Sequence, residues 1–350
     1  MSRSHITMAR LAAEAGVSVS TVSNAYNRPE KLSAAVRERV LALADELGYP
    51  GPDPLARSLR RQRTGGIGVV FTDDLPFVFT DPASAGFLAG VAETLSETGS
   101  HLVLLPAGTP EKRQRAPIDH AAVDGIVFHS LPLGERTLGL LQRRGTPAVL
   151  VDQPGPVSSV PWIGLDESAA MRLIGSHLAE LGHVHVGFIT SRLGTAPHNG
   201  PASPDRVLRS RFTIPRDRIR GLEQGLGRPV TVEERWETTS ASGADAAAEL
   251  LRRDPRMTAI ACIADTYALG ALEWAKRHHI QVPRHLSITG FDDVAGAHTA
   301  GLTTIRQPFT LKGRTAAHVL LRMLDGDDPP LAHYLDTTLV RRSSSGPRLI

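Results

Sequence analysis

The chain has 350 residues, of which 41% are hydrophobic and 21% charged, as is typical of a soluble protein with two or three globular domains. No apolar run reaches the roughly 18 residues that a membrane-spanning helix needs, and the first residues lack the apolar stretch of a secretory signal peptide. The only cysteine, Cys262, excludes an internal disulfide. We therefore expect a cytoplasmic protein with no membrane association.

The positive charge lies at one end of the chain. Residues 1–64 contain 10 Arg or Lys and 6 Asp or Glu, a net charge of +4, whereas the remaining residues contain 29 and 30, a net charge of −1. Four arginines fall within residues 57–63. On charge alone, a solvated linker and a small basic module that binds DNA remain equally open.

Two short helices are predicted near the start. Residues 8–15, MARLAAEA, carry apolar side chains at helical spacing, with Thr7 as a candidate N-cap. Gly16 can adopt the positive φ of a tight turn between helices. Ser18 can cap a second helix over residues 19–26. This arrangement is typical of a helix-turn-helix unit.

A third helix is predicted after Ser33, its N-cap, and ends at Gly48. The face of the second helix that points away from the other two is rich in small polar side chains: Val19, Ser20, Thr21, Ser23 and Asn24. Hydroxyl and amide groups suit hydrogen bonds with phosphates and base edges in the major groove. A generic three-helix bundle is the alternative, but the spacing, the outward polarity and the basic stretch together favour DNA binding.

The segment ITMARLAAEAGVSVSTVSNAYNRPEKLSAAVRERVLALADELGY, with ARSLR at 56–60, resembles the DNA-binding head of the lactose-repressor/galactose-repressor (LacI/GalR) family. The resemblance implies a transcriptional regulator, most often a repressor, that binds a pseudo-palindromic operator in double-stranded DNA as a homodimer. The DNA-binding residues that it implies are Thr7, Ser18, Val19, Ser20, Thr21, Ser23, Asn24, Asn27, Lys31, Ser33, Tyr49, Ala56, Arg57 and Leu59.

Residues 51–64 are expected to form a hinge helix and linker, with Asp53 as N-cap. In the family the hinge leucine enters the minor groove, and the resemblance places that role on Leu59; apolar wedges of this kind kink a base step. The sequence departs from the family pattern in two ways. One extra residue follows Tyr49, and Asp53 stands where Asn is usual, which adds negative charge near the DNA.

The remaining residues alternate between strand-like and helix-like patterns. Candidate strands lie at 67–71, 101–105, 125–128, 148–151, 184–189, 259–264 and 286–291. This alternation predicts an α/β fold with parallel sheets covered on both faces, and the length favours two doubly wound lobes. The resemblance likewise implies a periplasmic-binding-protein type of body behind the small all-α helix-turn-helix head.

We predict three domains with the following limits. They are a helix-turn-helix domain at 1–50, a hinge at 51–64 and a two-lobed effector-binding and dimerisation domain at 65–350, with the N-lobe at about 65–161 plus 294–325 and the C-lobe at about 162–293 plus 326–345. The chain is expected to cross between the lobes near 160, 292 and 325. A small-molecule effector would bind between the lobes, where strands end.

Two residues are predicted effector contacts because of the resemblance. Asp265 lies in CIADTYALGAL, close to a family pattern that places a ligand-binding aspartate there; an ordinary N-cap is the alternative. Arg218 has the family's spacing to Gly221, and a planar guanidinium suits two-atom contacts with hydroxyl or carboxylate groups. A surface arginine on a helix is the alternative for Arg218.

Three further effector contacts are predicted from their positions. Asp152 follows a candidate strand. Asp292, in the sequence GFDD, could contact the ligand or support the crossover. Phe87 could form an apolar platform under a sugar ring, although core packing is at least as good an explanation.

Residues 191–217 depart from the family, since most members are shorter here. The segment is rich in Gly, Pro and Arg with little apolar periodicity, which favours an inert mobile loop. A basic lid that selects an acidic or phosphorylated effector is the functional alternative.

Other motifs are too weak to support a site. His183 and His185 lack the further ligands that a metal site needs, and the glycines at 65–68 lack a P-loop lysine. We therefore predict no metal, no cofactor and no catalytic residue. The resulting expectation is a regulator controlled by a sugar or related metabolite. A sugar-handling enzyme with a helix-turn-helix head, or a sugar-binding protein that does not bind DNA, remains the alternative.

Overall fold

The structure is a computed structural model. It describes residues 6–51, 63–72, 75–106, 118, 120–132, 134, 139, 145–156 and 159–348. The chain divides into two compact units, residues 1–65 and 66–350. We call the first the head and the second the body, and describe each by itself.

The head is a three-helix unit built on side-chain caps. Its helices are α1 (Met8–Ala15), α2 (Val19–Asn27) and α3 (Ala34–Glu46), with a 3₁₀ turn at Pro29–Lys31. The side chains of Thr7, Ser18 and Ser33 each accept a hydrogen bond from a backbone N–H in the first turn of the helix that follows. Gly16 has φ 62° and ends α1. The predicted helix-turn-helix is confirmed, with α2 one residue longer than expected.

A small apolar core holds the head together. Its buried residues are Leu11, Ala12, Val22, Ala25, Val40, Ala44 and Tyr49. Tyr49, predicted to contact DNA, is only 8% exposed and packs edge-on against Tyr26, with ring centroids 6.0 Å apart. The ring of Tyr49 thus belongs to the core of the head, and its predicted DNA contact stays a prediction.

The body contains the remaining described elements. In its first part these are β1 (Gly66–Phe71), α4 (Leu75–Thr80), α5 (Pro82–Thr98), β2 (His101–Pro106), β3 (Gly125–His129), β4 (Ala148–Val151) and β5 (Trp162–Gly164). Next come α6 (Glu167–Glu180), β6 (Val186–Thr190), β7 (Gly200–Pro201), α7 (Pro204–Leu208), α8 (Thr213–Leu226), β8 (Thr231–Glu234), α9 (Ser240–Arg253), β9 (Ala259–Cys262), α10 (Asp265–Arg277) and β10 (Ser287–Thr289). The last are α11 (Ala295–Thr299), β11 (Thr304–Arg306), α12 (Phe309–Leu324), β12 (Ala332–Tyr334) and β13 (Thr338–Val340).

Two sheets define the two lobes. The N-lobe sheet has the order β12-β5-β4-β3-β1-β2 and is parallel throughout. The C-lobe sheet has the order β10-β9-β6-β8-β7 and is parallel except for the edge strand β7. The central strands are buried on both faces, as parallel sheets between helix layers require. The predicted α/β body with two parallel-sheet lobes is confirmed.

The lobe limits differ from those predicted. β5 and β12 pair in the N-lobe sheet, whereas α11 packs into the C-lobe core through Ala297. The chain therefore passes between lobes near residues 165, 307 and 336. The prediction misplaced these points because three-residue strands are too short to show a periodicity.

The segment at residues 191–217, which we call the rim segment, is not the structureless loop that was expected. It contains β7, α7 and the first turns of α8. Glu234, with a fully buried side chain, holds it in place. Its two carboxylate oxygens accept hydrogen bonds from Arg206 Nε and Nη2, at 2.5 and 2.9 Å, and Oε1 also accepts one from the Leu193 N–H. The sequence pattern missed this because the anchoring carboxylate lies outside the segment.

Paired glycines let the covering helices approach each other closely. A Cβ built on Gly90 in α5 would lie 2.0 Å from the Thr310 carbonyl oxygen of α12, and one on Gly313 would lie 2.0 Å from the Phe87 carbonyl oxygen. The pair α9 and α10 repeats this arrangement with Gly243 and Gly270. The helices therefore pack backbone against backbone at these crossings.

Replacing Gly90 by Ala should destabilise the body. The added methyl group meets backbone that cannot move away, so we expect a loss of about 3 kcal/mol despite the better helix propensity of Ala. The matched control is Gly86→Ala in the same helix, where the nearest atom is a side-chain carbon of Phe309 at 3.1 Å. Urea unfolding of both variants tests this, and equal midpoints would contradict it.

Candidate DNA-binding face and interlobe site

The exposed face of α2 carries the polar side chains that the sequence predicted. Val19 is 45% exposed, and Ser18 and Ser20 are also exposed. The Ser18 hydroxyl lies 2.7 Å from that of Ser20 and 2.8 Å from that of Thr21, while it caps the helix. Three hydroxyl groups therefore cluster at the N-terminus of α2, where N–H groups and the helix dipole favour phosphate.

The other predicted DNA contacts have different local roles. Asn27 donates a hydrogen bond from Nδ2 to the Ser23 carbonyl oxygen at 2.9 Å, which closes the last turn of α2. Lys31 is exposed on the 3₁₀ turn. Asn24 and Ser23 are partly exposed. Ala56, Arg57 and Leu59 lie outside the described residues.

A chain of polar side chains joins the two lobes at the ends of their strands. The Lys312 ammonium is 3% exposed and donates hydrogen bonds to Asp152 Oδ1 at 2.6 Å and Gln307 Oε1 at 2.9 Å. Gln307 Nε2 donates to Asp292 Oδ1 at 2.6 Å. His129 Nε2 lies 3.5 Å from Asp152 Oδ2. We call these five residues the interlobe chain; it runs from β3 and β4 in the N-lobe to the end of β10 in the C-lobe.

The two carboxyl groups of the interlobe chain respond to different surroundings. Burial alone would raise the pKa of Asp152. The ammonium of Lys312 and the neighbouring His129 lower it by more than burial raises it, so the pKa lies below its usual range. Burial and the neighbouring Asp265 hold the pKa of Asp292 well above its usual range. Asp152 has φ 65° and Asp292 has φ 125°, and such backbone is costly and concentrates at functional sites.

Arg218 is buried at the same interlobe edge. It is 5% exposed, donates from Nε to Glu167 Oε2 at 2.6 Å and from Nη1 to the Ile263 carbonyl oxygen at 2.5 Å, and lies 3.4 Å above the ring of Phe291. Glu167 Oε1 is buried and accepts no hydrogen bond from the described residues. The remaining Nη2 group and this acceptor together could hold a ligand hydroxyl.

Asp265 lies behind this edge in the interior. It begins α10 and is fully buried. Oδ1 accepts a hydrogen bond from the Thr304 hydroxyl at 2.6 Å, and Oδ2 accepts one from the Val294 N–H at 3.0 Å. Burial raises its pKa to about 7. Both oxygens thus bind residues that follow β10 in the chain, and the effector contact predicted for Asp265 stays a prediction.

Phe87 is likewise a core residue. It is 1% exposed and packs edge-on against Phe71, with centroids 6.3 Å apart, and against His129, with centroids 4.8 Å apart. The ring is enclosed between α5 and the sheet, which favours the core-packing alternative over the predicted platform for a ligand. Phe87 packs instead against the ring of His129, whose Nε2 lies close to the Asp152 carboxylate.

Sequence reasoning missed Lys312, Gln307, His129 and Glu167. Lys312 reads as a surface lysine on an amphipathic helix. His129 ends a strand and Gln307 directly follows one, whereas Glu167 begins a helix. Their position next to a strand end was the only available signal.

Several weak motifs have structural partners. His183 Nδ1 lies 2.9 Å from the Thr258 hydroxyl, and His185 Nδ1 lies 3.1 Å from Asp254 Oδ2. Cys262 is buried in β9, and burial raises the pKa of its thiol. Within the described ranges, no three His, Cys, Asp or Glu side chains come together as metal ligands would. In that same part of the chain, none of the helices has the length and apolarity to cross a bilayer.

Comparison with known families separates the same two units. Residues 7–51 match the model described as "Bacterial regulatory proteins, lacI family", and residues 176–345 match the periplasmic binding protein-like domain. An HTH-type transcriptional regulator of Mycolicibacterium smegmatis is 43% identical over 355 residues, covering 97% of this chain and 96% of its own. The chain belongs to the LacI family. It is a DNA-binding transcriptional regulator. The relative is named as a regulator and not as an enzyme, which decides against the alternative of a sugar-handling enzyme.

Solved LacI-family structures resemble this member over nearly all of its length. The lac repressor dimer bound to operator and the anti-inducer ONPF has a TM-score of 0.77 at 25% identity, covering 98% of this chain and 99% of that one. The complex of the transcriptional regulator CelR with cellobiose has a TM-score of 0.66 at 26% identity, covering 97% and 100%.

The ion pair of Lys312 and Asp152 gives a test of the interlobe chain. Lys312→Met should destabilise the protein by about 3–5 kcal/mol at pH 8, because it leaves a buried carboxylate without its cation. The pKa of Asp152 then rises above its unfolded value, so the loss should shrink as the pH falls towards 5, where the carboxyl becomes neutral. Urea unfolding across this range measures both effects.

The double variant Asp152→Asn/Lys312→Met supplies the control for that experiment. It has no uncompensated charge, so it should recover much of the lost stability and lose the pH dependence. A double variant as unstable as Lys312→Met alone would show that the ammonium matters through its packing and not through its charge.

Proposed function

We propose that this LacI-family regulator binds a pseudo-palindromic operator as a homodimer, with α2 in the major groove, and represses transcription. The observation that supports this most is the exposed hydroxyl cluster at the start of α2, next to Asn24 on the same outward face. The hinge contact follows the family pattern: Leu59 would enter the minor groove, with Ala56 and Arg57 beside it.

The head residues divide into two kinds of proposed contact. Val19, Ser20, Thr21, Ser23 and Asn24 are candidates for base edges and nearby phosphates. Thr7, Ser18, Asn27, Lys31 and Ser33 lie at helix ends or turns, where they suit phosphate contacts that set the register. The polar contact of Tyr49 is left to its hydroxyl group, since the ring belongs to the core.

A small polyhydroxy effector bound at the interlobe edge would control operator affinity. Arg218, with the unpaired Glu167 oxygen beside it, supplies a donor and an acceptor in one buried place. Asp152 and Asp292 mark the two ends of the interlobe chain and complete the proposed contacts. A ligand that binds one arrangement of the lobes better than another shifts the DNA-binding population. The CelR complex with cellobiose is a precedent for a sugar in this family.

DNA binding is tested with duplexes selected by the full-length protein from a random-sequence library. Ser20→Ala and Asn24→Ala should each lower the affinity for the selected duplex about tenfold, as the loss of one base contact does. Ala42→Ser, at an exposed position on α3, is the control and should bind normally. Affinity should fall steeply with KCl concentration, and sedimentation should give two chains per duplex. Failure to enrich any duplex would contradict the proposal.

Effector binding is tested by thermal shift with neutral sugars, polyols and sugar phosphates. A ligand at 100 times its Kd stabilises by about 2.7 kcal/mol, so a binder is readily seen. Arg218→Lys should weaken the best ligand of the panel at least about tenfold, because an ammonium cannot reproduce the planar contact. The matched control is Arg220→Lys in the same helix, where the side chain is 59% exposed. Equal ligand-induced thermal shifts in both variants would show that Arg218 does not contact the effector.

A further inference from the structure

Helix α8 carries Arg218, yet the side chain of its N-cap residue, Phe212, accepts no hydrogen bond from the first turn. Pro215 has no N–H to offer, which leaves Ile214 as a donor in that turn that needs an acceptor. The acceptor comes from the other lobe: Gln153 Oε1 receives the Ile214 N–H at 3.2 Å.

Gln153 is well placed to act as a fixed acceptor. It follows β4 in the N-lobe, next to Asp152 of the interlobe chain, and is 6% exposed. A cap from one lobe to a helix of the other exists only while the lobes keep this arrangement, because the donor and acceptor belong to separate sheets.

The rim segment contributes a second crossing close by. Arg192 Nη2 donates to the Thr72 hydroxyl at 3.4 Å, and Thr72 follows β1 in the N-lobe. The Arg192 guanidinium lies 5.0 Å from the ring centroid of Phe212, the N-cap residue of α8. The start of α8 is therefore bound on one side by Gln153 and on the other by a residue that itself reaches the N-lobe.

We propose that Gln153 is an interlobe cap of α8, a positioning residue that ties the start of the helix carrying Arg218 to the arrangement of the lobes in this structure. When the lobes separate, the Ile214 N–H loses its acceptor and the first turn of α8 loosens. The arrangement of the lobes and the order of the first turn of α8 are therefore coupled. The inference rests on the proposed effector site for its meaning, but it concerns a contact that exists without any ligand.

The test uses full-length protein with neither effector nor DNA, so its result is independent of the proposed function. Hydrogen exchange reports on the Ile214 amide. Pulsed electron paramagnetic resonance gives the distance between spin labels on Ser96→Cys in the N-lobe and Glu273→Cys in the C-lobe, both exposed positions. Cys262 is fully buried and does not take the label. One labelled chain is mixed with excess unlabelled protein, so that only distances within a chain are seen.

Gln153→Met keeps the size of the side chain and removes the acceptor. The Ile214 amide should exchange about fivefold faster, as expected for a lost helix cap, and the interlobe distances should broaden towards longer values. Gln153→Asn, one methylene shorter, should behave in the same way. Gln153→Glu keeps an acceptor at a helix N-terminus and should restore both slow exchange and the short distance.

Asp166→Ala is the matched control. Asp166 Oδ1 caps α6 through the Ala169 N–H at 2.8 Å, within the C-lobe. Its loss should speed exchange in α6 and leave the interlobe distances unchanged. The proposal is overturned if Gln153→Met leaves exchange at Ile214 unchanged, or if it speeds exchange without moving the interlobe distances, since Gln153 would then be an ordinary local cap.

Discussion

The arrangement of the lobes in the body depends on the buried ammonium of Lys312. Lys312 is only 3% exposed, so protein groups and not water must accept the hydrogen bonds of its ammonium. A buried charge without partners costs several kcal/mol. Asp152 supplies the counter-charge and Gln307 a further acceptor. Because Gln307 also binds Asp292, the requirement to satisfy one ammonium links the end of β4 to the end of β10. The relative position of the two sheets is thereby tied to a hydrogen-bond chain and not only to apolar packing.

The same edge concentrates the residues that make strained or unusual contacts. Asp152 and Asp292 both have positive φ, a conformation that other residues must hold in place. Asp265 holds the segment after β10 through Thr304 and the Val294 N–H. The contact with Val294 fixes the backbone that follows Asp292. A carboxylate at a strand end can therefore serve a ligand site in two ways, and only the hydrogen-bond partners separate them.

The sequence predicts local structure well where a single residue decides it. Ser18 and Gly16 each determine a helix end through their own chemistry, and both were predicted as the structure has them. The predictions failed where the deciding partner is distant in the chain. Nothing near residue 206 indicates that Arg206 binds Glu234, so the rim segment read as a loop. Asp265 was predicted as a ligand contact from the family resemblance, and its hydrogen bond with the distant Thr304 could not be read from the neighbouring residues. Lys312 was missed because its helical neighbours resemble those of a surface lysine.

The two units use charge in opposite ways, and this explains why the head holds the net charge. In the head, Arg10, Arg28, Lys31, Arg37 and Arg39 are exposed, where they can attract phosphates through a screened but long-range field. In the body, Lys312, Arg218 and Arg206 each face a buried carboxylate, so these charges cancel locally. Cancelled charges give short, directional contacts that depend on geometry. A change in the arrangement of the lobes therefore alters hydrogen bonds in the body, whereas the exposed charges of the head do not depend on it.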